Sequence, residues 1–457
     1  MITRRSLLGS GGLLSAAGLA GGAGLLGSWA GSSAADGVAS SNDYRALVVL
    51  FLSGGNDGHN TLIPVDGAYS DYASARGNLA LPKSSLVPLP GTAAGHSFAL
   101  HPGLAALAPL YGQGRLGWIS NVGPLVQPST AAQVLANAVE VPPFLLSHTD
   151  QVAIQQGWTV KDDSSGWAGR TLELLPSELR HAISAVTMST SRTLVLGRHS
   201  RVAFMSKDGA RYWGAADLAQ PQSAAAQSIN RMAQWEFANA YQAEYARTFG
   251  AAVADSTLFT QALTQAKPPA GEFGSSDLGN NLRALASVLP MFKAQGLKRQ
   301  VFLVHWGRFD THADQLGSAN NSQDTQLAAV GQASAAFDQA MQASGMDQNV
   351  LTLMMSDFGR TLRPGSGGGS EHAWGNHWFA MGGAVAGGTV HGKFPTLTLG
   401  GVDDGDPNKN GRMVPTTATD QVGATLMQWL GLPPSLLAEV FPNLVNFNLK
   451  TLPLLRA

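Results

Sequence analysis

Ala46-Leu47-Val48-Val49-Leu50-Phe51-Leu52 is a continuous apolar run, closed at once by Ser53-Gly54-Gly55-Asn56-Asp57-Gly58. Seven apolar residues without alternation, stopped by a glycine-rich turn, read as a strand buried on both faces. In open α/β sheets ligands gather outside the carboxyl ends of such strands. Asp57 therefore stands in a functional position.

Working outward, Leu116–Val122, Gln300–Trp306 and Val350–Met355 repeat the pattern, and His377–Gly383 predicts a fifth strand. Helical periodicity fills much of the space between them. It starts at His101-Pro102, at Ser147 (through Trp158) and at Gly166, and recurs over 280–296, 320–344 and 416–430, the last capped by Thr417 or Thr419. Residues 184–196 read as strand and turn, 66–98 as mostly loop, and 268–279 as a linker. Residues 221–267 predict a broken amphipathic helical insertion whose Trp235, Phe237, Tyr241 and Tyr245 pack inward. Strands alternating with helices give an α/β fold: a large, mainly parallel sheet between helices, one domain with insertions over residues 36–457.

Three strands end in related chemistry: Asn56-Asp57-Gly58-His59-Asn60, Phe309-Asp310-Thr311-His312, and Ser356-Asp357-Phe358-Gly359-Arg360. Glu371-His372-Ala373-Trp374-Gly375-Asn376-His377 follows. Parallel strands place their carboxyl ends on one edge, so acids and imidazoles more than 250 residues apart converge. Such a set suits a divalent cation, and carboxylates gathered there would repel one another unless a metal or an arginine offset them. Asp57, Asp310, His312, Asp357, His372 and His377 are the candidate ligands, for Zn, Mn, Ca or Mg. The chain has no cysteine, which excludes thiolate ligands, disulfides and a cysteine nucleophile. His59, His96 and His199 read as surface or loop residues, and His305 as packed within its strand.

The N-terminus, Thr3-Arg4-Arg5-Ser6-Leu7-Leu8, precedes a Gly/Ala/Leu-rich stretch, with no acid before Asp36 and small residues at Ser33-Ala34-Ala35. This is the order of a twin-arginine export signal over residues 1–35. It implies the translocase as a partner during export, a periplasmic or secreted protein, and no stable membrane span after cleavage. The twin-arginine route carries folded proteins, often with a cofactor already loaded. Beyond the leader, 27 basic residues face 30 acidic ones, which argues against nucleic acid as a partner.

Several segments, in this order, resemble the twin-arginine-exported bacterial proteins of the domain of unknown function 1501 family. They are Leu52-Ser53-Gly54-Gly55-Asn56-Asp57-Gly58 with Asn60, Leu100-His101-Pro102, Ser147-His148, Gly166-Trp167-Ala168-Gly169-Arg170, Phe309–His312, Ser356–Thr361 and Glu371–His377. That family in turn looks like a distant branch of the alkaline phosphatase and sulfatase superfamily. The resemblance implies a metal site at the strand ends. Asp57, Asp310 with His312, Asp357, and His372 or His377 would be its ligands, and Ser147 at a helix start its nucleophile. Two departures stand out. Asp310 and His312 are closer together than the phosphatase pattern, and Phe358 stands where a further ligand is expected. A single-metal site follows, or a displaced second site using His148.

The reading is an exported metal-dependent hydrolase of phosphate or sulfate esters, acting on an anionic small molecule or polymer. Ser147 or a water attacks, and Arg360 or Arg170 neutralises the ester oxyanion. The alternative is a non-catalytic, metal-stabilised binding protein for a cell-surface polymer or a partner protein. In the alternative, Ser147 is only a helix cap.

Overall fold

The computed structural model describes residues 43–157, 163–208 and 223–456. The leader, Trp158 and residues 221–222 lie outside the described residues. The large sheet contains β1 (Arg45–Leu52), β2 (Leu116–Gly123), β3 (Ala185–Thr187), β4 (Ala203–Phe204), β5 (Arg299–Trp306), β6 (Val350–Ser356), β7 (Asn376–Met381), β8 (Val390–His391) and β9 (Thr417–Ala418). Its order is β8-β2-β7-β6-β1-β5-β3-β4, with β9 beside β2. Pairing is parallel throughout except at β7, which runs antiparallel to β6 and β2. The expected mainly parallel sheet between helices is thus the fold observed.

β1 lies mid-sheet because it is apolar on both faces. Val48, Leu50 and Leu52 join a core with Leu285 and Leu289 of α6 (Asp277–Ala294) and Leu327 and Val330 of α7 (Gln323–Ala343). The alternate residues Leu47, Val49 and Phe51 pack with Trp167 and Leu172 of α3 (Trp167–Leu174) and Val422 and Leu426 of α8 (Thr419–Leu430). The period of two along the strand sends successive side chains into two separate helical layers.

Three local expectations are corrected. Residues 66–98 hold a helix, α1 (Tyr69–Arg76), and the strand Val87–Pro88, which joins Phe98–Leu100 and Leu62–Pro64 in a small sheet. Neither Thr417 nor Thr419 caps α8: Ala418 is the cap residue, and the Gln421 side chain accepts from its N–H at 2.9 Å. The insertion forms α4 (Ala224–Ala233) and α5 (Ala240–Gln265), but Trp235, Tyr241 and Tyr245 are 59%, 88% and 71% exposed rather than packed inward. Among the described residues no helix is long and apolar enough to cross a membrane.

Candidate metal centre

Two glycines draw the strand ends together. Gly54 (φ +102°) and Gly55 (φ +76°) follow β1 in conformations that L side chains avoid. A Cβ on Gly54 would lie 2.5 Å from the Asp310 nitrogen, and one on Gly55 2.4 Å from the Phe358 ring. Their bareness lets the chain leaving β5 and the chain leaving β6 close on the end of β1. Backbone bonds Ser53 N to Trp306 O (2.9 Å) and Phe309 N to Ser53 O (2.8 Å) continue the β1–β5 pairing into the loop.

Asp310 is the hub of the resulting cluster. Its Oδ1 lies 3.2 Å from His148 Nε2, 3.0 Å from His312 Nε2 and 3.2 Å from His372 Nε2. The His312 and His372 Nε2 atoms are 3.0 Å apart. One ligand atom from each of His148, Asp310 and His372 lies within 4.8 Å of the other two. Burial pushes the Asp310 carboxyl up, but its hydrogen bond to Arg360 and the nearby imidazoles hold it well below the usual carboxylate range.

The other nitrogen of each ring decides what the cluster is. His148 Nδ1 is 2.9 Å from Asp357 Oδ2, His372 Nδ1 is 2.7 Å from the Leu146 carbonyl oxygen, and His312 Nδ1 is 2.7 Å from Glu371 Oε2. All three partners are acceptors, so each neutral imidazole carries its proton on Nδ1 and turns a bare Nε2 lone pair inward. Three lone pairs then face a carboxylate oxygen that Arg360 satisfies from one side at 2.6 Å. Between the neutral imidazoles no donor stands among the described residues, and a cation there would relieve their mutual repulsion. His148 Nε2 and Asp357 Oδ1 are moreover buried without a hydrogen-bond partner. The donor set therefore fits a borderline divalent cation such as zinc, held by imidazole and carboxylate, with ring orientation fixed from behind. His148 is raised above the ordinary histidine pKa by its bond to Asp357, against burial, whereas burial lowers His372.

The structure brings Asp310, His312 and His372 together, and it brings His148 with them, a residue that sequence reasoning assigned only to a displaced second site. Asp357 stands one step back, its Oδ2 accepting from His148 Nδ1 and from Gly54 N at 3.1 Å. Asp57 and His377 are not brought to the cluster. Asp57 is fully buried in an ion pair with Arg76 of α1 and accepts from Gln315 Nε2 at 2.6 Å. Burial pushes its carboxyl up, but Arg76, His59 and Gln315 outweigh it and lower the pKa. His377 is buried against Phe394, ring centroids 4.8 Å apart, with Nδ1 accepting from Asn121 N. Burial lowers His377 to about 3 and His59 to about 4, so both are neutral. His59 is a buried residue, not a surface one.

The expected anion-binding arginines are sealed. Arg360, with no exposed surface, donates to the carbonyls of Gly54, Gly55, Phe309 and Ser370 and to Asp310 Oδ1 (2.6 Å). Arg170 donates to the carbonyls of Ser165, Gly157 and Val440. Both guanidiniums bind loops to one another and present no face to an ester.

Ser147 is the cap of α2 (His148–Gln155): its Oγ accepts from the Asp150 N–H and donates to Asp150 Oδ2 at 2.5 Å. Ser147→Ala is accordingly expected to cost about 1 kcal/mol of stability and to leave cation uptake unchanged, as denaturant melts and metal titration would read.

Phe358 follows Asp357 directly. Its buried ring lies 4.8 Å from the His148 ring and 4.6 Å from that of His372, centroid to centroid, and walls one side of the cluster. Arg76, Leu146 and Gln151 had no signal in the sequence, because an arginine closing a short helix and a residue in a loop look ordinary until the fold sets them beside the site.

Residues 44–410 match the family described as protein of unknown function (DUF1501). The chain belongs to that family. No curated protein matches this DUF1501 member in sequence. It is similar to the C-terminal periplasmic domain of EcEptC from Escherichia coli in complex with Zn (12% identity, TM-score 0.32, covering 75% of this chain and 74% of that one). It is also similar to phosphonate monoester hydrolase SpPMH from Silicibacter pomeroyi (10%, 0.33, 86% and 74%). A third likeness is to PsFucS1 sulfatase from Pseudoalteromonas sp. (12%, 0.31, 83% and 71%). All three likenesses concern the fold.

Proposed function

We propose that this DUF1501 protein is an exported, metal-dependent hydrolase of phosphate or sulfate esters, with the cation held by His148, Asp310, His372 and His312. The observation that carries the cation is the triple Nδ1 anchoring, which aims three Nε2 lone pairs at one carboxylate oxygen. A bound divalent cation supplies Lewis acidity toward an ester oxygen. Asp357 and Glu371 keep the His148 and His312 rings in the ligating tautomer, and Phe358 excludes water from one side. Attack falls to a water rather than to Ser147, whose hydroxyl is engaged as the helix cap. The choice of ester follows the resemblance to the alkaline phosphatase and sulfatase superfamily. Export rests on the Arg4-Arg5 leader with cleavage near Ala35, and the twin-arginine route suits a protein whose cation is loaded before transport.

The sealed Arg360 and Arg170 favour a second reading, in which the same cation stabilises a non-catalytic binding protein for a cell-surface polymer or a partner protein. One experiment separates the two. Protein purified from its exporting host is assayed for bound metal, then offered phosphate and sulfate mono- and diesters with Zn²⁺, Mn²⁺ or Ca²⁺. Metal with turnover supports the hydrolase, metal without turnover on any ester supports the binding protein, and no metal uptake defeats both.

A further inference from the structure

Helix α2 reaches the candidate centre twice. Its first residue, His148, enters the cluster directly. Gln151, one turn on, does not, yet it is completely buried, and its Oε1 accepts from the Leu146 N–H. Gln151 Nε2 is buried without a partner, so among the described residues the side chain's one hydrogen bond is that grip on Leu146. Leu146 needs gripping. It adopts φ +75°, and Phe144, two residues earlier, φ +53°, in a turn closed by Ser147 N to Phe144 O. Neither is a glycine, and left-handed backbone at leucine persists only where the surroundings over-determine it. The result of that conformation is the position of the Leu146 carbonyl, which accepts from His372 Nδ1 at 2.7 Å.

We infer that Gln151 is a positioning residue for the centre: by holding Leu146 left-handed it fixes the carbonyl that sets His372 in the Nδ1–H tautomer with Nε2 free to bind a cation. This rests on the cation reading of the site. One helix thereby governs two of the ligands, His148 by covalent attachment and His372 through the chain Gln151–Leu146–His372. Were Gln151 only a packing residue, replacing it with another side chain of its length would leave the imidazole of His372 unaffected.

The test uses the full chain, titrated with Co²⁺ and followed by visible absorbance, and ¹⁵N-histidine NMR of the metal-free protein to read the His372 tautomer. Gln151→Met keeps the length and removes the acceptor. It is expected to shift His372 toward a mixture of tautomers and to weaken Co²⁺ binding by roughly 10- to 100-fold, the usual effect of losing a residue that orients a ligand. Gln151→Glu keeps an acceptor for the Leu146 amide and should bind at least as tightly as wild type. Leu146→Pro forbids φ +75° and removes the amide hydrogen, reaching the same loss from the loop side should Gln151→Met fail to fold. Wild-type tautomer and affinity in Gln151→Met, or in folded Leu146→Pro, overturns the inference, as does Gln151→Glu binding as weakly as Gln151→Met. Failure of the wild type to take up Co²⁺ defeats the cation reading instead, and the His372 resonances then decide the positioning role alone.

Discussion

Asp310→Asn is expected to lower the affinity of this protein for zinc or cobalt by more than about 100-fold, beyond the range seen when only an orienting residue is lost. The Asp310 carboxylate is the shared point of the cluster, within 3.2 Å of three imidazole Nε2 atoms. Asparagine keeps a neutral oxygen as acceptor for the buried Arg360, so the loops that Arg360 ties should stay in place while the ligand's charge disappears. Equilibrium titration of the metal-free protein reads the affinity, and a thermal melt confirms that the fold is retained. Asp357→Asn should weaken binding less, about 10- to 100-fold, because Asp357 acts on the cation only through His148. Stoichiometric, tight uptake by Asp310→Asn would remove the proposed centre. A loss in Asp357→Asn larger than in Asp310→Asn would show that Asp310 is not the carboxylate that holds the cation directly.

Arg76→Met is expected to destabilise the protein by about 3–5 kcal/mol, because it leaves Asp57 charged and buried without its partner. Both side chains are wholly inaccessible to solvent. Arg76 also donates to the Thr361 and Leu362 carbonyls, so its loss loosens the strand Arg360–Pro364 that starts beside the cluster. Adding Asp57→Asn to Arg76→Met should recover much of the loss by removing the stranded charge. Denaturant unfolding of the single and double variants measures both. Acid has a related effect with a definite sign. The folded pKa of Asp57 is lowered from its unfolded value near 4. Its contribution is therefore complete above that value and is lost as the pH falls through the lower folded one. Arg76→Met should flatten this part of the acid-unfolding curve. An Arg76→Met protein as stable as the wild type would show that Asp57 is not held by the ion pair.

The two buried arginines explain where the strand-end argument reached too far. Asp57, Asp310 and Asp357 all follow strands, and the structure places Asp310 and Asp357 on the two ring nitrogens of His148. Asp57 left the group because α1, hidden in a segment read as loop, delivers Arg76 to it. Arg360 is expensive to bury, yet it is compensated by four carbonyls and one carboxylate drawn from distant loops, a set visible only after folding. His377 illustrates a different limit. It belongs to β7 of the large sheet, whereas His372 ends the short strand Ser370–His372 that pairs with Arg360–Pro364, so the two histidines sit in different sheets and His377 packs against Phe394 instead of entering the cluster.

Periodicity and composition, read along the chain, determined that this protein is a mainly parallel sheet between helices, that it uses no thiol chemistry, and that acids and imidazoles crowd the strand ends. Those properties are local: strand burial and turn chemistry are encoded in runs of a few neighbouring residues. Which nitrogen of each imidazole is bare, which aspartate is matched by an arginine and which by histidines, and whether a guanidinium faces solvent or carbonyls were decided only by the tertiary structure. Each depends on hydrogen bonds between residues that can lie more than 200 positions apart, and no local pattern records such partners.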